Sequence, residues 1–219
     1  MDPTSIVRDT DGMDIPGHVT TLEQLTSLYR EPSEGALGKQ VSAIDDGMAA
    51  LIDRSPFLVL ATSDGAGSVD ASPRGGPPGF VRRLDDRHIA IPDLNGNNRL
   101  DSYRNIVRHP WAGVLMIVPG KDETLRVNGP AAITTDADIL AGFTKELRPP
   151  KAAIVVETAE VYGHCAKAFR RARMWDPEAW AALADAPDLA AMYAGAWNVD
   201  ESEMRDTLER VYDDDLAAD

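Results

Sequence analysis

The spacing of apolar positions switches between a helical and an extended period several times along the chain. From Thr20 to Tyr29 the period is helical, with Leu22, Leu25, Leu28 and Tyr29 on one side and Thr20 or Thr21 as N-cap. A second helical run places Ile44, Met48, Leu51 and Ile52 on one stripe, and both helices are expected to pack against a core. After Ser55-Pro56 the pattern becomes extended. Phe57 to Thr62 reads as a strand buried on both faces, followed by a hairpin connection over Ser63 to Gly67 and a second strand over Ser68 to Ser72. The Gly/Pro-rich run Pro73 to Gly79 is expected to break the sheet, and Phe80 to Leu84 with His88 to Pro92 predicts a further hairpin around Asp85-Asp86.

Asn95-Gly96-Asn97-Asn98 then reads as a polar turn into a short helix that Pro110 stops, ahead of a buried strand from Trp111 to Val118. A long strand over Thr124 to Thr134 is expected to bend at Gly129-Pro130. Asp136 to Phe143 suggests a short helix, and Ala152 to Tyr162 a last strand. Beyond His164 the chain is helical again, over Ala166 to Met174, Pro177 to Leu183, Leu189 to Met192 and Ser202 to Tyr212. About six strands joined mostly by short hairpins, with no helix between consecutive pairs before Arg99, predict a mainly β fold with peripheral helices: an antiparallel sheet curled into a barrel. A Rossmann sheet is disfavoured, and Gly65-x-Gly67 lacks both the third glycine and the helix of a dinucleotide loop.

These patterns divide the chain into an arm and packing helices over 1–54, a barrel core over 55–165 and a helical extension over 166–219, all within one domain. Residues 1–18, rich in Asp, Gly and Pro, are expected to form an irregular arm. The extension holds Trp175, Trp180 and Trp197, three of the four tryptophans. They would cap the barrel, cover a partner subunit or stack on a planar ligand, and packing is the plainer role for any one of them. Because Trp111 to Val118 and Ala152 to Val156 are apolar on both faces, one face would fill the barrel and the other be hidden by helices or by a second chain, which predicts an isologous homodimer.

Charge and composition narrow the function. With a formal net charge of −14 over 219 residues, the chain is a poor candidate for nucleic-acid binding, which relies on clustered Lys and Arg. The single cysteine, Cys165, cannot form an internal disulfide, and the histidines His18, His88, His109 and His164 lack metal-ligand spacing, so no metal site is expected. No apolar run approaches the roughly 20 residues of a membrane span, and no basic-then-apolar leader opens the sequence, so the expected location is the cytoplasm.

The candidate chemistry lies at the asparagine-rich turn. A helix that starts there presents amide groups without partners inside the helix, and Asn98, Arg99 and Ser102 cluster at this positive pole, a combination suited to a phosphate. An ordinary capped surface helix is the alternative. Arg74, in a second glycine-rich stretch, adds another guanidinium where backbone can approach a ligand closely.

The run Ser68 to Gly75, then Ile89-Ala90-Ile91-Pro92-Asp93, then Gly96 to Ser102 and Asn105-Ile106 ahead of His109-Pro110, resembles the pyridoxamine 5'-phosphate oxidase-like flavoproteins, most closely their bacterial branch of FMN-dependent enzymes. The resemblance spans about residues 40 to 165. It implies a split β-barrel that dimerises and holds FMN in two symmetric clefts between subunits. It also implies that Asp70, Ala71, Ser72, Pro73 and Arg74 lie beside the isoalloxazine and ribityl chain, that Pro92 and Asp93 edge the flavin, and that Asn98, Arg99 and Ser102 hold its phosphate. Where pyridoxamine phosphate oxidases proper place an Arg-Lys pair near the phosphate, this chain has Asn97-Asn98-Arg99, so the resemblance implies a cofactor class and leaves the substrate unassigned. Redox chemistry would belong to the cofactor, with NADH or NADPH as candidate reductant. No side chain demands an acid or base role; Tyr103, His109 and Tyr162 are candidate proton donors. A deazaflavin-dependent reductase, or a flavin- or haem-binding protein without catalysis, are the alternatives.

Overall fold

The computed structural model describes residues 15–143 and 147–218. Positions 1–14 of the expected arm lie outside the described residues, and residues 15–18 form a turn in which His18 N donates to the Ile15 carbonyl. Thr21 caps helix α1 (Leu22–Ser27) by accepting from Gln24 N, and Gln24 returns the bond to the backbone of the cap. The helix is present but buries none of its residues, so the packing role expected for Leu22, Leu25, Leu28 and Tyr29 is corrected: all four are exposed. Periodicity states which residues share a side, and not what covers that side. A single helical turn, α2 (Glu34–Leu37), was not legible in the pattern. Helix α3 (Asp46–Ile52), capped by Asp45, does pack, with Ile44 and Ile52 buried.

Strands β1 (Phe57–Ser63) and β2 (Val69–Gly75) pair antiparallel from Phe57 opposite Gly75 to Ser63 opposite Val69. Burial in β1 alternates, with Leu58, Leu60 and Thr62 inside, so this strand is buried on one face rather than two. Strand β2 continues through Pro73 and Arg74, where a break was expected. It is an edge strand, and an edge tolerates a residue with no N–H to give. Strands β3 (Arg82–Arg83) and β4 (His88–Pro92) make the expected hairpin, followed by α4 (Asp101–Arg108), β5 (Trp111–Ile117) and β6 (Thr124–Thr134). Helix α5 (Ala137–Ala141), β7 (Ala153–Glu157) and β8 (Glu160–His164) complete the barrel region.

The sheet runs β2-β1-β5-β6-β7-β4-β3, with β8 also on β6, and every strand pairing is antiparallel. This is the expected antiparallel split β-barrel. Strand β6 turns the corner by changing partners: residues up to Pro130 face β5, and Ala131 to Thr134 face β7. The predicted bend therefore falls at Gly129, where a Cβ would sit 1.8 Å from the Glu157 carbonyl oxygen. On the other side of that contact, the single strand expected over Ala152 to Tyr162 is two strands, with Ala159 N donating to the Asn128 carbonyl at 3.0 Å at the break. Leu60, Ile91, Met116, Val127 and Ile154 fill the interior, each such side chain contributing about 1.5–3 kcal/mol by leaving water.

The tail forms α6 (Lys167–Ala172), α7 (Pro177–Trp180) with a short 3₁₀ turn after it, α8 (Leu189–Trp197) and α9 (Glu201–Ala217). Its tryptophans pack within the tail, and Trp175 also reaches the β5–β6 turn of the barrel. Trp175 donates to the Lys121 carbonyl at 2.8 Å and stacks on Phe169, Trp180 donates to the Met174 carbonyl, and Trp197 stacks on Tyr193 with ring centroids 4.2 Å apart. Among the described residues no helix is long and apolar enough to cross a membrane.

Candidate functional site

Alternation along β2 puts Asp70, Ser72 and Arg74 opposite the inward-facing Thr62, Leu60 and Leu58 of β1. Helix α4 lies against these two strands and is anchored by Asn105, whose Nδ2 donates to Thr62 Oγ1 at 3.1 Å, and by buried Ile106. This brings its first turn onto β2. Buried Ser102 donates through Oγ to Asp70 Oδ2 at 2.6 Å and accepts from Arg74 Nη2 at 3.2 Å. The Arg74 guanidinium also lies over the Tyr103 ring, 5.8 Å from its centroid.

The approach to α4 is made in left-handed backbone at Asn98 (φ 55°) and Leu100 (φ 60°). Asparagine accepts that conformation readily; leucine does so rarely. Leu100 is the N-cap residue and supplies no side-chain hydrogen bond, so the first amides of α4 lack the capping group that Thr21 or Asp45 gives elsewhere in the chain. Arg99 projects outward, 74% exposed, with Nε donating to Asp101 Oδ2 at 2.7 Å.

These elements wall a cavity of about 580 Å³, within the range of about 300–1,000 Å³ typical of small-molecule sites. Among the described residues its lining includes four cationic side chains, Arg74, Arg99, Arg148 and Lys151, and one carboxylate, Asp93. On a chain with net charge −14 that balance is inverted, and it favours an anionic ligand. Two buried donors in the wall, Arg74 Nε and Tyr103 Oη, have no hydrogen-bond partner among the described residues, a condition that acceptor oxygens of a ligand would relieve. Burial, and then the neighbouring Asp93 carboxylate, push the Tyr103 phenol far above its ordinary pKa, so it keeps its proton. Asp93 acts here as a nearby charge, without closing a hydrogen bond to Tyr103 of normal geometry.

Of the residues singled out in the sequence, Ser72, Pro73, Arg74, Pro92, Asp93, Asn98 and Arg99 line this one cavity. Asp70 and Ser102 stand behind Arg74 and hold it, while Ala71 points to the opposite side of β2. Among the candidate proton donors, Tyr103 lines the cavity, whereas exposed His109 and buried Tyr162, flanked by Lys39 and Arg126, lie elsewhere. Sequence reasoning missed Arg148, Lys151 and Leu216. The one available signal was the basic pair bracketing Pro149-Pro150. Among the described residues no group of three or more His, Cys, Asp or Glu side chains could hold a metal ion.

The fold is an antiparallel split barrel with a cationic cavity at the end of β2. The family model for pyridoxamine 5'-phosphate oxidase matches residues 44–165, and the chain belongs to that family. No curated protein matches the sequence. Among solved structures, HupZ of Group A Streptococcus is similar, at 20% identity and TM-score 0.45 over 55% of this chain and 93% of that one. An FMN-binding protein from Syntrophomonas wolfei is similar at 15% identity and TM-score 0.43, over 53% of this chain and 83% of that one.

Proposed function

We propose that the cavity holds flavin mononucleotide and that the protein is a cytoplasmic, homodimeric FMN-dependent oxidoreductase acting on a small organic substrate. The observation that carries this reading is the cationic lining beside an uncapped helix start, on a strongly acidic chain of this family. When bound, the flavin would supply the transfer of electrons between a reductant such as NADH or NADPH and the substrate.

The residues present fit such a group. Arg74, held in place by Ser102 and Asp70, offers a buried and unpartnered Nε–H to a phosphate oxygen, and the first amides of α4 offer more donors at the positive end of the helix. Asn98 and Arg99 close the outer side of that phosphate position. Strand β2 from Asp70 to Arg74 would run beside the ring and ribityl chain, with Pro92 and Asp93 at the ring edge. Tyr103, kept protonated, would donate a hydrogen bond to the ligand in the cavity. Support for the dimer comes from the outer face of the β2-β1-β5 sheet, where Val69, Phe57 and Trp111 are exposed.

Reconstitution tests the reading: full-length protein is mixed with FMN, desalted and scanned in the visible range. Retained flavin absorbance in the wild type, lost in R74A, is expected. A wild-type protein that passes through desalting colourless, or an R74A variant that retains flavin equally, contradicts it.

A further inference from the structure

Helix α9 buries none of its residues, and its ion pairs stay inside the α8–α9 hairpin, where Arg205 bridges Asp188 and Glu201. It reaches the cavity with its last turn. Leu216 and Ala218 line the cavity, Arg148 donates through Nη2 to the Ala217 carbonyl at 3.0 Å, and Asn95 Nδ2 donates to the Asp215 carbonyl at 3.4 Å. That turn is the negative pole of the helix, contains no basic residue and includes Asp215 of the run Asp213-Asp214-Asp215. Facing it, Arg148 and Lys151 bracket Pro149-Pro150, whose rings restrict the backbone between them. Among the described residues neither cation is in a salt bridge. The mouth of the cavity therefore has two cations, and a neutral carbonyl at the end of α9 occupies one of them.

We infer that Arg148 and Lys151 form a second anion subsite, which takes the carboxylate or phosphate of a small organic substrate, and that this ligand displaces the last turn of α9. The inference rests on the cofactor reading above, because it is the cofactor phosphate that engages Arg74 and Arg99 and leaves the other pair for a second anion. An ionised oxygen is a stronger partner for a guanidinium than a peptide carbonyl is, so an anion wins Arg148 from Ala217. Besides Arg148, the tip is held at the cavity rim by Asn95, while Leu216 stays largely exposed. Substrate entry and release of the helix tip are then one event.

Amide hydrogen exchange over residues 209–218 reads this event in the full-length protein, with and without added FMN, during titration with succinate, glycerol 3-phosphate and inorganic phosphate. The expected result is exchange faster by about tenfold at saturating organic anion in the wild type. In the double variant R148Q/K151Q exchange is already fast without anion and does not respond to it. A response to succinate or to glycerol 3-phosphate identifies which head group is recognised, and either supports the subsite. Exchange that no anion changes, or that changes equally in the double variant or with inorganic phosphate alone, overturns it. Because exchange is also followed without FMN, a wild type that fails to bind flavin overturns the cofactor reading and leaves the anion response separately readable.

Discussion

Ser102 Oγ donates to Asp70 Oδ2 at 2.6 Å across the gap between α4 and β2. The same oxygen accepts from Arg74, so one buried hydroxyl fixes an acid and a base that would otherwise be free to form other contacts. The guanidinium is thereby aimed before any ligand arrives, which lowers the ordering cost of binding.

Replacing this hydroxyl should be felt twice. S102A leaves partly buried polar groups on both neighbours incompletely partnered, at a cost of about 1 kcal/mol, or a fall in melting temperature of about 2–4 °C per kcal/mol for a chain of this size. Flavin affinity, read by fluorescence quenching, should fall in parallel. A melting temperature within one degree of wild type would show that the relay carries no stability.

The two arginines should separate by burial. Arg74 is half-buried against Tyr103, and Arg99 is largely solvated and paired with Asp101. R74A is expected to weaken FMN binding by about a hundredfold, and R99A by about tenfold or less, because an exposed ion-paired guanidinium contributes little. Isothermal titration at two salt concentrations checks the order, and the reverse order would assign the phosphate to the outer side of the turn.

Gly129 should tolerate no side chain. A methyl at this corner would lie 1.8 Å from the Glu157 carbonyl oxygen and 2.8 Å from Ala159 N, both backbone atoms that cannot rotate aside. G129A is expected to cost about 3 kcal/mol or more, measured by denaturant unfolding. By contrast G163A, which meets no atom within 4 Å, should be tolerated.

Tyr103 gives a pH signature. Its pKa is raised in the folded protein by burial and by Asp93, from the ordinary value of 10.0, so above that pH the unfolded chain loses a proton that the folded one keeps. Stability from this group is full below about pH 10 and declines as pH rises beyond it. Thermal unfolding between pH 9 and 11 should therefore fall more steeply in the wild type than in Y103F, and equal slopes would contradict the burial of the phenol.

Much of the barrel was legible because short hairpins leave local marks. The Ser63 to Gly67 connection and the Asp85-Asp86 turn sit where β1 meets β2 and β3 meets β4. Gly129-Pro130 marked the corner of β6 without revealing that β7 and β8 are separate strands, since Thr158 and Ala159 do not interrupt the apolar pattern. Pro73 misled because proline ends an interior strand but not an edge strand, and edge position is a tertiary property. The asparagine-rich turn was found from its residue types, and Asn98 does take left-handed backbone; Leu100 takes it too, at the N-cap of α4, and has no sequence mark. Arg148 and Lys151 were invisible for a related reason. They join the cavity because Asp93 N donates to the Ala152 carbonyl and draws their loop against the end of β4, a contact between segments nearly sixty positions apart.

The most direct test of the account is flavin stoichiometry measured together with oligomeric state, by light scattering with in-line visible absorbance on reconstituted protein. A particle of two chains carrying two FMN molecules is expected for the wild type, and a colourless particle for R74A. A monomer that binds flavin with full occupancy, or a dimer that binds none, would contradict it.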